Sequence, residues 1–107
     1  MIVYFYRWRL RPGQEDAFKT AWATVTAALR RNGSDGSALF RASDGTWCGI
    51  ARWPNREARE TAASMLELGS ARAAMADAIE QQVETLELTE ELNLWAPYTP
   101  PRVQPCS

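Results

Sequence analysis

Residues 2–11 alternate as a β-strand does, with Ile2, Tyr4, Tyr6, Trp8 and Leu10 on one face. Val3, Phe5, Arg7, Arg9 and Arg11 take the other. The early part is apolar on both faces, the pattern of a central strand covered on each side. Pro12-Gly13 ends it, and Gln14, Glu15 and Asp16 suit a first helical turn, where carboxylates meet the positive end of the helix dipole. Phe18, Trp22, Val25 and Leu29 then follow at helical spacing, and Asn32-Gly33 is the stop signal. Residues 37–43 and 46–53 read as a hairpin about a two-residue Asp44-Gly45 turn pairing Ser43 with Thr46. That register puts Leu39, Arg41, Cys48, Ile50 and Arg52 on one face. Phe40, Ala42, Trp47, Gly49, Ala51 and Trp53 fall on the other.

A second strand-to-helix corner, Trp53-Pro54-Asn55, lies about 42 residues after the first. Proline cannot donate a ladder hydrogen bond, and its fixed φ suits a first helical turn. The helical pattern that follows runs to about Gln82, interrupted near Gly69-Ser70, and residues 84–95 return as a strand carrying Leu86, Leu88, Leu92 and Leu94. The order is β-α-β-β-α-β. Short right-handed connections then predict an α+β fold: a four-stranded antiparallel sheet, order 4-1-3-2, with both helices on one face. Residues 1–95 form one domain in this reading, and residues 96–107, with four prolines, an extended tail.

Charge changes this picture little. The net charge is −1, which gives no general attraction to nucleic acid or membrane. The charges are segregated, however: residues 1–59 hold ten basic and five acidic side chains, residues 60–107 two and eight. With strand four beside strand one, Arg7, Arg9 and Arg11 would face Glu84, Glu87, Glu90 or Glu91. No apolar run approaches a membrane span. Ile2–Tyr6 follows Met1 without a basic leader, and the two cysteines make no disulfide framework, so a cytoplasmic protein is expected.

Tyr6-Arg7-Trp8-Arg9-Leu10-Arg11-Pro12-Gly13, the hairpin Arg41–Thr46 and Ala51-Arg52-Trp53-Pro54-Asn55-Arg56-Glu57-Ala58 together resemble the antibiotic biosynthesis monooxygenase family. The resemblance covers residues 2 to about 95. It implies a ferredoxin-like topology, a homodimer in the manner of a dimeric α/β barrel, and a pocket between each sheet and its helices. Some members oxidise aromatic polyketides or quinols with dioxygen and no cofactor. The haem-degrading branch uses a histidine as iron ligand, and this chain has none. The polyketide-oxidising branch carries a polar residue, an asparagine, a tryptophan and a tyrosine at places that fall on Arg41, Gly49, Trp53 and Arg59. Only the tryptophan is kept.

Cofactor-free oxygenation asks for a donor to stabilise a forming oxyanion and for an apolar cavity holding a flat substrate. The resemblance implies catalytic roles for Trp53, Arg41 and Arg59. Arg41 or Arg52 supplies a charge, and Tyr6, Trp22, Phe40, Trp47 and Trp53 supply walls. A base is harder to find, since the usual histidine is absent and only Glu57 and Glu60 are near. The expected function is cofactor-independent oxidation of a small aromatic, a quinol or an anthrone. The alternative is a non-catalytic dimer that binds a hydrophobic molecule or serves a partner enzyme. Neither reading calls for a metal or cofactor, because the sequence holds no ligand set for one.

Overall fold

The structure is a computed structural model that describes residues 1–64 and 68–96. Its elements are β1 (Ile2–Leu10), α1 (Glu15–Arg30), β2 (Ser37–Arg41), β3 (Trp47–Trp53), α2 (Arg56–Ala63), α3 (Gly69–Ala78) and β4 (Ile79–Thr89). The antiparallel sheet has the order β2-β3-β1-β4, the predicted arrangement. β1 is central because its residues supply both neighbours with partners: Tyr6 stands between Gly49 and Thr85, and Trp8 between Trp47 and Gln82.

Both corners form, but each proline stands ahead of the N-cap rather than in the first helical turn, with Gln14 preceding α1 and Asn55 preceding α2. At the first, Gly13 takes φ 82°, and the chain is tied to the far helix by Arg11 N–H donating to the Ala78 carbonyl at 2.8 Å. At the second, Asn55 caps α2, its side-chain oxygen accepting from the Ala58 N–H at 2.8 Å. Trp8, Phe18, Trp47 and Ala78 form one buried cluster, and Tyr4, Trp53 and Ala62 form another. Tyr6 packs against both, which places it at the join.

Three expectations are corrected. The hairpin turn is longer than two residues. Arg41 pairs with Trp47, and Ala42 N–H donates to the Thr46 carbonyl at 2.8 Å, closing a wider loop. The cause is Asp44, whose carboxylate accepts from the Thr46 N–H at 2.9 Å, the Thr46 hydroxyl at 2.6 Å and Arg7 Nη2 at 2.5 Å. Gly45 follows at φ 88°. A one-residue slip moves every side chain of a strand to the opposite face. Leu39 and Arg41 therefore share a face with Trp47 and Gly49, and Phe40 joins Cys48 on the other.

The second correction concerns where helix gives way to strand. α3 ends at Ala78 rather than near Gln82, because Ile79, Gln81 and Gln82 pair with Leu10, Arg9 and Trp8. These ladder bonds override the local helical pattern. The interruption also falls earlier than Gly69, since α2 ends at Ala63 and Gly69 opens α3. Third, β4 stops at Thr89, paired with Ile2, and beyond it only the Glu90 N–H still reaches the first strand's side, donating to the Met1 carbonyl at 3.1 Å. Leu92, Leu94 and Trp95 are accordingly exposed. The predicted proline-rich tail lies outside the described residues from 97 onward.

The charge pattern resolves into specific pairs. Arg7 is opposite Glu84 in register but pairs with Asp44, while Glu87 pairs with Arg56 and Glu90 with Arg52 at 3.9 Å. Thr46's hydroxyl and backbone N–H, and then Arg7's charge, hold the Asp44 carboxyl down to about 2 from an ordinary 3.8. A carboxyl lowered on folding adds stability above its unfolded value and loses it as pH falls through its folded value. Asp44→Asn should therefore depress Tm most near neutral pH. The gap to the wild type should shrink as pH falls from 3.8 towards about 2. Melting curves at several pH values test this, and a constant gap would contradict it.

Candidate functional site

The two aromatic clusters leave a space between the sheet and the helices. It is a cavity of about 340 Å³, at the small end of ligand pockets, which run to roughly 1,000 Å³. β1 supplies Tyr6 and Trp8, β3 supplies Ala51 and Trp53, and α1 supplies Trp22, Val25 and Leu29. Arg59 comes from α2, with Arg72 and Met75 from α3. The wall on β1 is a run of parallel rings, since alternate strand residues share a face. Tyr4 and Tyr6 stack with centroids 6.5 Å apart, and Tyr6 and Trp8 at 5.5 Å with 10° between planes. Trp22 meets Trp8 edge-on at 5.4 Å.

Gly49 is what lets these indoles meet the sheet. A Cβ there would lie 2.5 Å from the Trp22 ring and 2.7 Å from the Trp8 ring. The bulky-and-small alternation Trp47, Gly49, Ala51, Trp53 thus has a packing cause.

The polar end of the cavity is built around Arg59. Its guanidinium lies 3.9 Å above the Tyr4 ring, and its Nη2 donates to the Tyr6 hydroxyl at 3.5 Å. Tyr4 is fixed in turn, its hydroxyl donating to Glu87 Oε2 at 2.6 Å while Arg56 holds Glu87 Oε1. The hydrogen bond to Glu87, followed by burial, raises the Tyr4 pKa, so its phenol stays protonated. Arg56 and then Tyr4 hold Glu87 below the usual carboxylate range. Burial works against the Arg59 charge, but the hydrogen bond to the Tyr6 hydroxyl and the charge of nearby Glu87 favour it, and its pKa is raised. On the opposite side Thr26 and Ser37 share a 2.6 Å hydroxyl hydrogen bond.

No protein-family model and no curated protein matches the chain. Solved structures do. SnoaB, a cofactor-independent oxygenase from Streptomyces nogalater, superposes with a TM-score of 0.75 at 20% identity, covering 87% of this chain and 95% of SnoaB. Rv0793 from Mycobacterium tuberculosis gives 0.73 at 17%, covering 88% and 98%. An antibiotic biosynthesis monooxygenase gives 0.70 at 14%, covering 84% and 98%. The chain has the fold of the antibiotic biosynthesis monooxygenases. At such identities the likeness is one of fold, and chemistry has to be argued from side chains.

Within this fold the sequence-predicted residues separate into two groups. Tyr6, Trp22, Trp53 and Arg59 come together around the cavity. Arg41, Trp47, Phe40 and Arg52 do not line it. Trp47 is buried in the first cluster, with the Arg41 guanidinium 5.4 Å from its ring centre. Phe40 and Arg52 face the other side of the sheet, where they border a broad groove of about 640 Å³ with Val3, Ile50 and Trp95. The hairpin slip accounts for Phe40, and strand alternation for Arg52.

Sequence reasoning passed over Trp8, Arg72, Thr26 and Ser37. Trp8 was open to discovery, since it shares the alternation of Tyr4 and Tyr6. Arg72 stands three residues before Met75, one helical turn along the same face. Thr26 and Ser37 gave no such signal, because their contact depends on how α1 lies over β2.

Proposed function

We propose that this protein is a cytoplasmic, cofactor-independent monooxygenase that oxidises a small aromatic, a quinol or anthrone, with dioxygen. The observation that carries the reading is the aromatic-walled cavity with one charged end. It rests on Arg59 and Tyr6 as the polar pair and on Trp8, Trp22 and Trp53 as walls. In an anthrone the reacting methylene loses a proton to solvent at the cavity mouth, and its electrons pass to dioxygen. The hydroperoxide formed at that carbon loses water to leave a carbonyl. Arg59 and the Tyr6 hydroxyl stabilise the negative oxygen that develops as the proton leaves. The apolar walls strengthen that interaction by excluding water.

One observation favours a second reading. Among the described lining residues there is no carboxylate to act as base, and the place of the expected asparagine is Gly49, covered by two indoles. A binding protein would need neither group. Oxygen uptake with a panel of quinols and anthrones separates the two: enzyme-dependent uptake supports the oxygenase, and uptake no faster than buffer supports the binding protein.

The proposal includes a homodimer, sheet against sheet. The face away from the helices carries Val3, Phe5, Phe40, Ile50, Leu86 and Leu88, and Phe40, Leu86 and Leu88 are exposed on it; contiguous apolar positions of this kind mark an interaction surface. No helix among the described residues is long and apolar enough to cross a membrane. Sedimentation should give a dimer at micromolar concentration, and a stable monomer there would refute this part.

A further inference from the structure

The polar groups of the cavity are unbalanced in charge. Among the described residues lining it are two arginines, Arg59 and Arg72, and no acid. Arg72 has a partner, its Nη1 donating to the Ala63 carbonyl at 2.9 Å. Arg59 makes no ion pair among the described residues. The nearby carboxylate, Glu87, is committed on both oxygens, to Arg56 and to the Tyr4 hydroxyl.

The contact Arg59 does make is incomplete. Its 3.5 Å separation from the Tyr6 hydroxyl exceeds the usual range of about 2.7–3.2 Å. A guanidinium carries five N–H donors in a planar fork. The Tyr6 hydroxyl also keeps its own proton to donate. Its position over the Tyr4 ring holds the guanidinium without using any of these donors. Two neighbouring donors are thus held in place beside an aromatic slot, unsatisfied among the described residues.

We infer that the ligand of this cavity is an aromatic anion, a flat ring system bearing a carboxylate that Arg59 and Tyr6 grip together. A planar carboxylate offers two oxygens to two donors, and a charge-assisted bond outweighs a neutral one. The ring lies between Trp22 and Trp53, against the Tyr6 and Trp8 stack. The volume of about 340 Å³ suits two or three fused rings rather than a larger polycycle. This inference rests on the cavity being the ligand site, as proposed above.

The matched pair naphthoate and naphthamide tests it, titrated against tryptophan fluorescence at neutral pH. The two differ in charge and little in shape. Naphthoate should bind the wild type at least about tenfold more tightly. Arg59→Gln should abolish that preference, and Arg59→Lys should retain part of it. Equal or better binding of naphthamide to the wild type would overturn the anion preference and leave the ligand site standing. Binding of neither would overturn both. The wild-type comparison decides whether or not a variant folds.

Discussion

Trp8→Ala should lower the free energy of unfolding by about 3–5 kcal/mol, the usual cost of emptying a large buried aromatic site. Small domains have roughly 5–15 kcal/mol in total, so the variant should sit near the edge of folding at ambient temperature. The size of the effect follows from what the indole touches. Trp8 is 3% exposed and central in the sheet, stacked on Tyr6 and edge-on to Phe18 at 5.1 Å and to Trp22 at 5.4 Å. Its loss opens the first cluster into the cavity, and the paired strands on either side limit how far the site can collapse. Urea denaturation measures this directly. A loss under about 1 kcal/mol would mean that the ring is not the keystone of that cluster.

Gly49→Ala should destabilise the protein by about 1–3 kcal/mol and also weaken ligand binding, two effects from one methyl group. The added carbon would stand 2.5 Å from Trp22 and 2.7 Å from Trp8, so something must shift. Trp8 is pinned by Phe18 and by its place in the sheet, whereas Trp22 is only half-buried and borders the cavity. Trp22 therefore gives way and turns into the space a ligand would occupy. Thermal melting and a naphthoate titration on the same sample check both effects. An unchanged Tm with unchanged affinity would show that the rings do not rest on Gly49.

How much of this could be read beforehand depended on whether the deciding interaction was local. The two proline corners, the alternation of β1 and the stripe on α1 are short-range features, and they led to the correct sheet order. The hairpin register was not local in the same way. Asp44-Gly45 resembles a two-residue turn in isolation, but the hydrogen bonds of Asp44 to Thr46 and to Arg7, 37 residues away, select a longer loop. That slip moved Phe40 away from the cavity side and left Arg41 beside Trp47. The end of α3 was missed for a related reason, since only pairing with β1 makes Ile79–Gln82 extended.

The candidate site was legible to the extent that it is made of rings. Tyr6, Trp22 and Trp53 follow from periodicity, and Arg59 from the family resemblance, which lays a tyrosine position on it six residues after Trp53. The role Arg59 takes here was hidden, because it depends on the chain Arg56, Glu87, Tyr4 that holds the guanidinium against a tyrosine ring. Three separate elements, α2, β4 and β1, contribute to that chain, and no single segment announces it.

The central claim is that an aromatic bound beside Arg59 reacts with dioxygen using this chain alone. It is tested most directly by turnover of an anthrone bearing a carboxylate under oxygen-18 gas, with protein freed of metals by chelation and the product read by mass spectrometry. The account predicts one oxygen-18 atom incorporated into the product, at a rate that falls sharply in Arg59→Gln. A substrate that binds the cavity yet gains no labelled oxygen above the protein-free control would contradict it.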